Sequence, residues 1–249
     1  MLTWLWLGLY DFLEMLELQE RLFLNKQQGD DKNYLIFAEH SPVYTYDERK
    51  PRDHLWRLPK PASVPLIHAP RAGSITYHGP GQLVCYCILD LKTLDLDGPL
   101  ALNWVIEETI IRTLAEFGIV GHRRKEPVAA QGVWVTGSDG VERKIASRGI
   151  STNKGIARFG FALNVTTELS YFDYIYPCGI NIQMTSVYRE CRKYIDLNAV
   201  ARLLVYHFEK VIDDRKEAMP HDEIAFPPAA SARLWRGLPA SGGDRDDKK

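Results

Sequence analysis

The sequence predicts an α+β fold in which helices flank a mixed β-sheet, and three observations support that prediction. Strand-like and helix-like runs are mixed along the chain without the regular strand–helix–strand alternation of a parallel sheet. No segment repeats at a fixed period. A chain of 249 residues with 45% hydrophobic residues can bury one substantial core. We therefore expect a single domain over residues 1–225.

The first sixteen residues, MLTWLWLGLYDFLEML, are strongly apolar. A secretory signal would begin with a basic segment, which this stretch lacks, and Asp11 and Glu14 interrupt the apolar run. We interpret the stretch as a first strand that leads into an amphipathic helix. On this interpretation we expect the protein in the cytoplasm.

The clearest strand and the clearest helix lie in the middle of the chain. LVCYCILDL, residues 83–91, is almost continuously apolar, which is typical of a central strand buried on both faces. After the Gly98-Pro99 break, apolar residues recur at helical spacing, and Gly118 follows as a helix C-cap. The apolar positions of this predicted helix are Leu102, Val105, Ile106, Ile110, Leu114 and Phe117.

The second half of the chain predicts a hairpin, a further strand and a last helix. GVWVTGSDGVERKIASRGI contains two strand-like runs around a Gly-Ser-Asp-Gly turn, with Lys144 on the second arm, and FGFALNV predicts another strand. Residues 226–249, which end in SGGDRDDKK, predict a disordered tail. Asp196 can cap the last helix, whose apolar face holds Leu197, Val200, Leu204, Phe208 and Val211.

Charge and cysteine content exclude several classes of function. The net charge of −1 gives no overall attraction to nucleic acid or anionic lipid, and we interpret the run from His122 to Lys125 as a solvated loop. The cysteines are too few and too unevenly placed for a disulfide framework, and neither they nor the scattered histidines have metal-ligand spacing. We predict no metal and four free thiols, Cys85, Cys87, Cys178 and Cys191.

Cys178 is a candidate nucleophile because it stands in YPCGI, between a proline that fixes φ and a glycine that frees it. Such flanks favour a sharp turn that presents the thiol. The alternative is a buried structural cysteine, which is the commoner role of a free thiol. A nucleophilic thiol has to be partly ionised, and a neighbouring cation promotes ionisation. Lys144, in RKIASRG, is a candidate for that cation, although taken alone it is better interpreted as an exposed strand lysine.

The loop RAGSITYHGPGQLVCY, residues 71–86, matches neither a phosphate-binding P-loop nor a dinucleotide fingerprint. Its glycines Gly73, Gly79 and Gly81 would let backbone amides approach a ligand closely. Arg71, Thr76 and His78 would add donors suited to an acyl carbonyl or a carboxyl-like group. The alternative is a tight turn in which glycine and proline have only structural roles.

Taken together, four segments resemble the lipoyl(octanoyl) transferase family. RAGSITYHGPGQLVCY is similar to the family signature, KIASRG to its lysine motif, GFALNV to its acyl-binding strand and YPCG to its cysteine motif, all in family order. The resemblance runs from about Glu39 to Val187 and is weaker in the first helix. It implies a biotin/lipoate protein ligase-like fold and transfer of an octanoyl group from octanoyl-acyl carrier protein to a lysine of a lipoyl-carrier domain.

The resemblance also assigns residues. Cys178 matches the family nucleophile and Lys144 the lysine that lowers the pKa of its thiol. Acceptors would be the lipoyl domains of 2-oxoacid dehydrogenases or the glycine cleavage H protein, with no cofactor, nucleic acid or membrane involved. The positions that match substrate contacts of the family are Arg71, Ala72, Gly73, Ser74, Ile75, Thr76, Tyr77, His78, Ser147, Arg148, Gly149, Gly160, Phe161 and Ala162.

The chain departs from the family pattern at three positions. The family usually has glycine at Ala72, an aliphatic residue at Arg148 and histidine at Phe159. Two alternatives to octanoyl transfer therefore stay open from the sequence. One is an ATP-dependent lipoate or biotin ligase on the same fold, although no ATP-phosphate loop is evident. The other is a non-catalytic module that binds carrier proteins, against which the intact Cys178 and Lys144 argue.

Overall fold

The computed structural model describes residues 2–47, 56–124, 130–177 and 180–218. Cys178 and Gly179 lie outside the described residues, as does the stretch from 219 onward that includes the predicted tail. The α-helices are α1 (Phe12–Gln27), α2 (Pro99–Ala115), α3 (Val187–Cys191) and α4 (Leu197–Ala218). The strands are β1 (Leu2–Leu9), β2 (Asn33–Glu39), β3 (Val43–Tyr46), β4 (Leu66–His68), β5 (Thr76–His78), β6 (Gln82–Asp90), β7 (Gly121–Arg123), β8 (Val133–Thr136), β9 (Glu142–Asn153) and β10 (Ile156–Asn164).

Two sheets organise the described chain. The larger has the order β1-β2-β6-β10-β9-β8-β7, and the smaller has the order β4-β3-β5. In the larger sheet β1 runs parallel to β2, whereas the β2–β6, β6–β10, β9–β10, β8–β9 and β7–β8 pairs are antiparallel. The predicted α+β fold around a mixed sheet is therefore confirmed.

The two faces of the larger sheet pack against different helices. Alternate residues of β6, including Leu83, Cys85 and Cys87, join residues of α2 and α4 in one core cluster, here called the α2/α4 face. The intervening residues Val84 and Tyr86 pack with Met15 of α1 on the other side, here called the α1 face. Because both faces are covered, residues 82–89 of β6 are all buried, as their unbroken apolar run predicts.

The ends of the predicted helices have the caps that the sequence indicates. After α2, Gly118 takes a φ of +73°. The Gly118 and Ile119 amides donate to the carbonyls of Ala115 and Leu114, which is the Schellman arrangement. At the start of α4, the Asp196 carboxylate accepts from the Ala199 amide at 2.9 Å. Both signals act within a few residues of the helix end, so the sequence alone identifies them.

One interpretation of a loop was wrong. His122 and Arg123 lie in the edge strand β7, not in a solvated loop, and Lys125 lies outside the described residues. The Arg123 guanidinium forms an ion pair with Glu108 of α2 and lies 5.0 Å above the ring of Trp104. A basic residue can belong to a strand when its charge is paired with a carboxylate and its stem packs on an aromatic ring. A run of basic residues in the sequence therefore does not by itself indicate a loop.

Candidate active site

A cavity that is open to solvent lies where β5, β6, β9 and β10 meet α1. Ten of the fourteen predicted contact residues line it. They are Arg71, Gly73, Thr76, His78, Ser147, Arg148, Gly149, Gly160, Phe161 and Ala162. The structure therefore brings the glycine-rich loop, the lysine motif and the GFALNV strand to one place, although they are far apart in the sequence.

The other four predicted contact residues are not part of the cavity lining. Ala72 is exposed, and Ser74 is a buried residue of the loop. Ile75 and Tyr77 are buried in the cluster that covers the smaller sheet. Extended backbone directs alternate side chains to opposite sides. Ile75 and Tyr77 therefore face the smaller sheet, whereas Thr76 and His78 face the cavity.

Phe159, which the sequence analysis singles out as a departure from the family pattern, also lines the cavity. Sequence reasoning missed four further cavity residues inside the apolar segments, which are Phe12, Val84, Cys85 and Tyr86. An unbroken apolar run gives no signal that separates core positions from the wall of a cavity. Whether such a residue lies in the core or in the cavity wall depends on how closely the neighbouring strand and helix pack against it.

Two glycines of the loop have structural roles instead of the predicted ligand contacts. The Gly81 amide donates to the Glu39 carboxylate at 2.8 Å, so it is already engaged. A Cβ on Gly81 would lie 2.6 Å from Thr166 Oγ1, and one on Gly79 would lie 2.0 Å from the Tyr77 hydroxyl oxygen. These positions require glycine because neighbouring groups approach too closely for a side chain.

Arg71 anchors the mouth of the cavity. Its guanidinium donates to the Thr45 carbonyl at 3.0 Å, to the Thr45 hydroxyl at 2.8 Å and to the Ala72 carbonyl at 3.1 Å. Opposite, a Cβ on Gly149 would lie 2.7 Å from the same Ala72 carbonyl. The loop and β9 are therefore in close contact, and the exposed Ala72 methyl fits without disturbing that contact.

Lys144 is fully buried in β9, which is not the exposed strand position that its local sequence alone favours. Its stem passes over Gly132, where a Cβ would lie 2.8 Å from Lys144 Cε. Gly132 takes a φ of +136°, a conformation that other residues rarely adopt. The glycine thus leaves room for the lysine stem.

A β-bulge sets the direction of Lys144. Val133 pairs with Ala146 and the next residue, Trp134, pairs with Lys144, so Ile145 has no opposite partner. Val133 and Ala146 belong to the α2/α4 face. In a regular strand Lys144, two residues before Ala146, would share that face with it. The bulge turns Lys144 to the other face, which by alternation is also that of Ser147.

The backbone of Lys144 also holds the segment that follows the cysteine motif. The Lys144 amide donates to the Gln183 carbonyl at 2.9 Å, and the Thr185 amide donates to the Lys144 carbonyl at 3.0 Å. Met184, between them, packs in one cluster with Ile175, which precedes the motif. The segment after Cys178 therefore lies beside the lysine strand, and Ile175 before the motif packs against that segment. The position of Cys178 itself lies outside the described residues, and its nucleophilic role stays a prediction.

A buried hydrogen-bond path connects the glycine loop to Lys144. Gln82 Nε2 donates to the Tyr77 carbonyl at 3.2 Å and to Asn164 Oδ1 at 2.9 Å, so Gln82 Oε1 faces His78 Nδ1 at 2.7 Å. Asn164 Nδ2 then donates to the Thr185 carbonyl at 3.0 Å. Such a path fixes side chains that the sequence places more than eighty residues apart.

Two buried histidines lie at one end of the path. His40 Nδ1 donates to the Tyr10 carbonyl at 2.7 Å, and its Nε2 accepts from the Tyr86 hydroxyl at 2.6 Å. Burial lowers the pKa of His40 to about 4. Burial, reinforced by the nearby His40 and Arg71, lowers the pKa of His78 to about 3. Neutral His78 uses Nδ1–H on Gln82, so it presents an acceptor to its surroundings and not the donor that the sequence predicts.

These histidines make stability depend on pH below neutrality. An unfolded histidine binds a proton near pH 6.5 whereas the folded His40 and His78 resist it, so the unfolded state gains protons first. The stabilisation is complete above about pH 6.5 and is lost as the pH falls toward about 4. We expect the melting temperature to fall across that window in thermal melts.

The His40→Asn variant tests the cause, because the amide can still donate to Tyr10 but does not titrate. It should show a flatter dependence of the melting temperature between pH 6.5 and 4, while His68→Asn, at an exposed position, should follow the parent. Equal slopes in the parent and His40→Asn would contradict the assignment.

Arg148 is part of the cavity wall and of a partly buried ion pair. Its Nε lies 2.7 Å from Glu107 Oε1 on α2, and its side chain also donates to Gln131. Arg123 Nε lies 3.5 Å from the other Glu107 oxygen. The arginine that replaces an aliphatic residue of the family therefore brings no unpaired charge to the cavity.

The fold and the cavity agree with the comparisons to known proteins. Residues 11–209 match the lipoyl protein ligase A/B catalytic domain. The fold is similar to a solved structure from an archaeal lipoylation system, a bipartite lipoate protein ligase of Thermoplasma acidophilum, with a TM-score of 0.66 at 16% identity over 85% of this chain and 83% of that one. It is also similar to a biotin protein ligase of Aquifex aeolicus, with a TM-score of 0.53 at 17% identity over 87% and 72% of the two chains. The chain belongs to the lipoyl protein ligase A/B catalytic domain family.

Curated relatives narrow the assignment. An octanoyltransferase of Bacteroides fragilis is 39% identical over 184 residues, which cover 72% of this chain and 81% of that protein. An octanoyltransferase of Rubrobacter xylanophilus is 39% identical over 218 residues, covering 83% and 91% of the two chains. Within its family, the chain therefore belongs to the octanoyltransferases. In the described residues no helix is long and apolar enough to cross a membrane.

Proposed function

We propose that this protein transfers an octanoyl group from octanoyl-acyl carrier protein to a lysine of a lipoyl-carrier domain, through an acyl-enzyme on Cys178, in the cytoplasm. Acceptors of this kind are the lipoyl domains of 2-oxoacid dehydrogenases and the glycine cleavage H protein. The observation that carries the proposal is the convergence of the loop, the lysine strand and GFALNV on one cavity in a chain 39% identical to curated octanoyltransferases.

The proposed chemistry has two steps. In the first, the Cys178 thiolate attacks the thioester carbonyl, the carrier's C–S bond breaks, and the carrier leaves as a thiol after taking a proton. In the second, the acceptor lysine amine attacks the new thioester, releases the Cys178 thiol and forms an amide. Lys144 supports the first step, because a cation beside a thiol lowers the pKa of that thiol.

The acyl chain would occupy the cavity beside β6 and β10. Phe12, Val84 and Ala162 supply an apolar lining, whereas Thr76 and Ser147 lie among the more polar cavity residues. A hydrocarbon chain gains free energy on leaving water for such a lining. The oxyanion of the tetrahedral intermediates would be stabilised by backbone amides near Gly73 or the cysteine motif.

Transfer should need no ATP, because a thioester already carries an activated acyl group. We expect octanoyl-acyl carrier protein alone to octanoylate a purified lipoyl domain, and added ATP with magnesium to leave the rate unchanged. Mass spectrometry of the intact acceptor measures the product. Free octanoate with ATP serves as the matched alternative donor.

Two outcomes would overturn this proposal. Acylation that requires ATP and prefers free octanoate would identify an ATP-dependent ligase. Binding of both carriers with no acyl adduct on either the enzyme or the acceptor would identify a non-catalytic carrier-binding module.

A further inference from the structure

Phe159 has a backbone conformation that is unusual for its place in the fold. Its φ is +60°, in the left-handed region, although it lies within strand β10. Bulky side chains rarely adopt this region, and residues that do so are held there by their surroundings.

The conformation reverses the direction of the Phe159 ring. In β10 the residues Ala157, Phe161 and Leu163 belong to the α2/α4 face, and simple alternation would place Phe159 with them. Instead Phe159 packs with Phe12, Val43 and Ala69, where α1 meets the smaller sheet. The left-handed turn moves the ring across the sheet to the α1 side.

The same turn lies at a gap in the pairing of β10 with β6, while the pairing of β10 with β9 continues through it. The β6–β10 ladder pairs Ala157 with Leu89 and Gly160 with Tyr86, and its register skips the two residues between Ala157 and Gly160. A Cβ on Gly160 would lie 2.2 Å from the Cys85 carbonyl, so the backbones are in direct contact immediately after the turn. Phe159, Gly160, Cys85 and Tyr86 all line the cavity. The ring of Phe159 is thus part of the wall at the point where the ladder is interrupted.

Gln19 is placed to hold this conformation. It lies on the buried face of α1, with 2% of its surface exposed, and its Oε1 accepts from the Phe159 amide at 3.0 Å. Within the described part of the chain, its Nε2 has no hydrogen-bond partner. A buried amide that leaves a donor unsatisfied is unfavourable for folding, which points to a role for the bond that its oxygen makes.

We infer that Gln19 is a positioning residue that holds Phe159 in its left-handed conformation, and that the Phe159 ring so placed determines the length of straight-chain acyl group that the cavity accepts. This inference rests on the proposed function. Phe159 is the specificity-determining residue and touches the acyl chain, whereas Gln19 acts only through the Phe159 backbone.

The test measures first-step acylation rates with hexanoyl, octanoyl, decanoyl and dodecanoyl carrier proteins. Phe159→Ala removes the ring, and the ratio of dodecanoyl to octanoyl rates should rise about tenfold, the discrimination typical of a change of a methylene or so in an apolar pocket. Gln19→Met keeps the side-chain volume but loses the acceptor. The ring should then relax toward the other face, and the ratio should rise in the same direction.

A double variant separates positioning from general packing. Glycine adopts a positive φ without help, so adding Gln19→Met to Phe159→Gly should leave the chain-length profile of Phe159→Gly unchanged. Gln27→Met, at an exposed position of the same helix, is the control and should match the parent. If Phe159→Ala does not fold, Phe159→His supplies a second variant, because histidine tolerates the left-handed region better than most residues.

Binding provides a readout that does not depend on transfer. The rise in melting temperature caused by octanoic, decanoic and dodecanoic acids should shift toward the longer acids in Phe159→Ala and Gln19→Met. Absence of acylation by the parent with every donor would contradict the proposed function, while the binding series would still decide the inference. Unchanged length preference in Gln19→Met, or an equal shift on both the parent and the Phe159→Gly background, would overturn it.

Discussion

Replacing Cys178 with serine is expected to lower octanoyl transfer by about a thousandfold or more, since loss of a covalent nucleophile removes the route through the acyl-enzyme. Intact-mass measurement after mixing with octanoyl-acyl carrier protein should show an octanoyl adduct on the parent and none on Cys178→Ser. Single-turnover transfer to a lipoyl domain gives the rate.

The other cysteines provide matched controls for this experiment. Burial raises the pKa of the Cys85 thiol, and its sulfur lies 3.9 Å from that of Cys87. A thiol held protonated is a poor nucleophile, so Cys85→Ser should retain transfer. Cys87 is buried in β6 and neither Cys87 nor Cys191 lines the cavity, so Cys87→Ser and Cys191→Ser should retain transfer as well. Cys85 also lines the cavity, which makes Cys87 and Cys191 the cleaner comparisons. Undiminished transfer by Cys178→Ser would remove the nucleophile assignment.

Replacing Lys144 with methionine is expected to slow formation of the acyl-enzyme by about a hundredfold or more, the range typical of losing a group that assists proton transfer or ionises a nucleophile. Methionine has a similar length and can fill the space beside Gly132. The pH midpoint of Cys178 alkylation by iodoacetamide should move upward, because the thiolate loses a nearby positive charge.

Two further variants make the Lys144 result specific. Lys92→Met removes an exposed lysine and should behave as the parent in both assays. Lys144→Arg keeps the charge but cannot release its proton at neutral pH, so rescue of the alkylation midpoint without rescue of acylation would indicate proton transfer as well as a charge effect. Since Lys144 is fully buried, a thermal melt accompanies each variant. A folded Lys144→Met protein with an unchanged midpoint and acylation rate would end the proposed cysteine–lysine pairing.

Local signals in the sequence predict the elements that frame this site. The unbroken apolar run of β6, the hairpin around Lys144, the Gly118 cap and the Asp196 cap each depend on chemistry within a few neighbouring residues, and each is confirmed. The family motifs likewise identify ten residues that line the cavity.

The features that sequence patterns miss depend on residues distant in the chain. Alternation places Phe159 on the α2/α4 face, whereas in the structure its amide donates to Gln19 of α1 and its ring packs with Phe12, Val43 and Ala69, none of which is near it in the sequence. Period counting likewise gives no sign of the bulge at Ile145, which follows from the pairing of β8 with β9. Local composition also favours an exposed Lys144, because nothing nearby indicates that Gly132 provides room for its stem.

Because Lys144 pairs with residues 183–185, the segment between Cys178 and Gln183 should tolerate insertions less well than the turn between β9 and β10. Because Gln183 and Thr185 are fixed in register against Lys144, one residue added between Cys178 and Gln183 would displace the cysteine by up to about 3.4 Å, enough to separate two reacting groups. The exposed turn at Lys154 and Gly155 also lies between the two motifs, but its backbone bond outside the hairpin, from the Leu91 amide to the Gly155 carbonyl at 2.9 Å, does not involve Lys144. Loop grafts or tags that preserve function therefore belong in the β9–β10 turn, and the short arm after the cysteine has to keep its length.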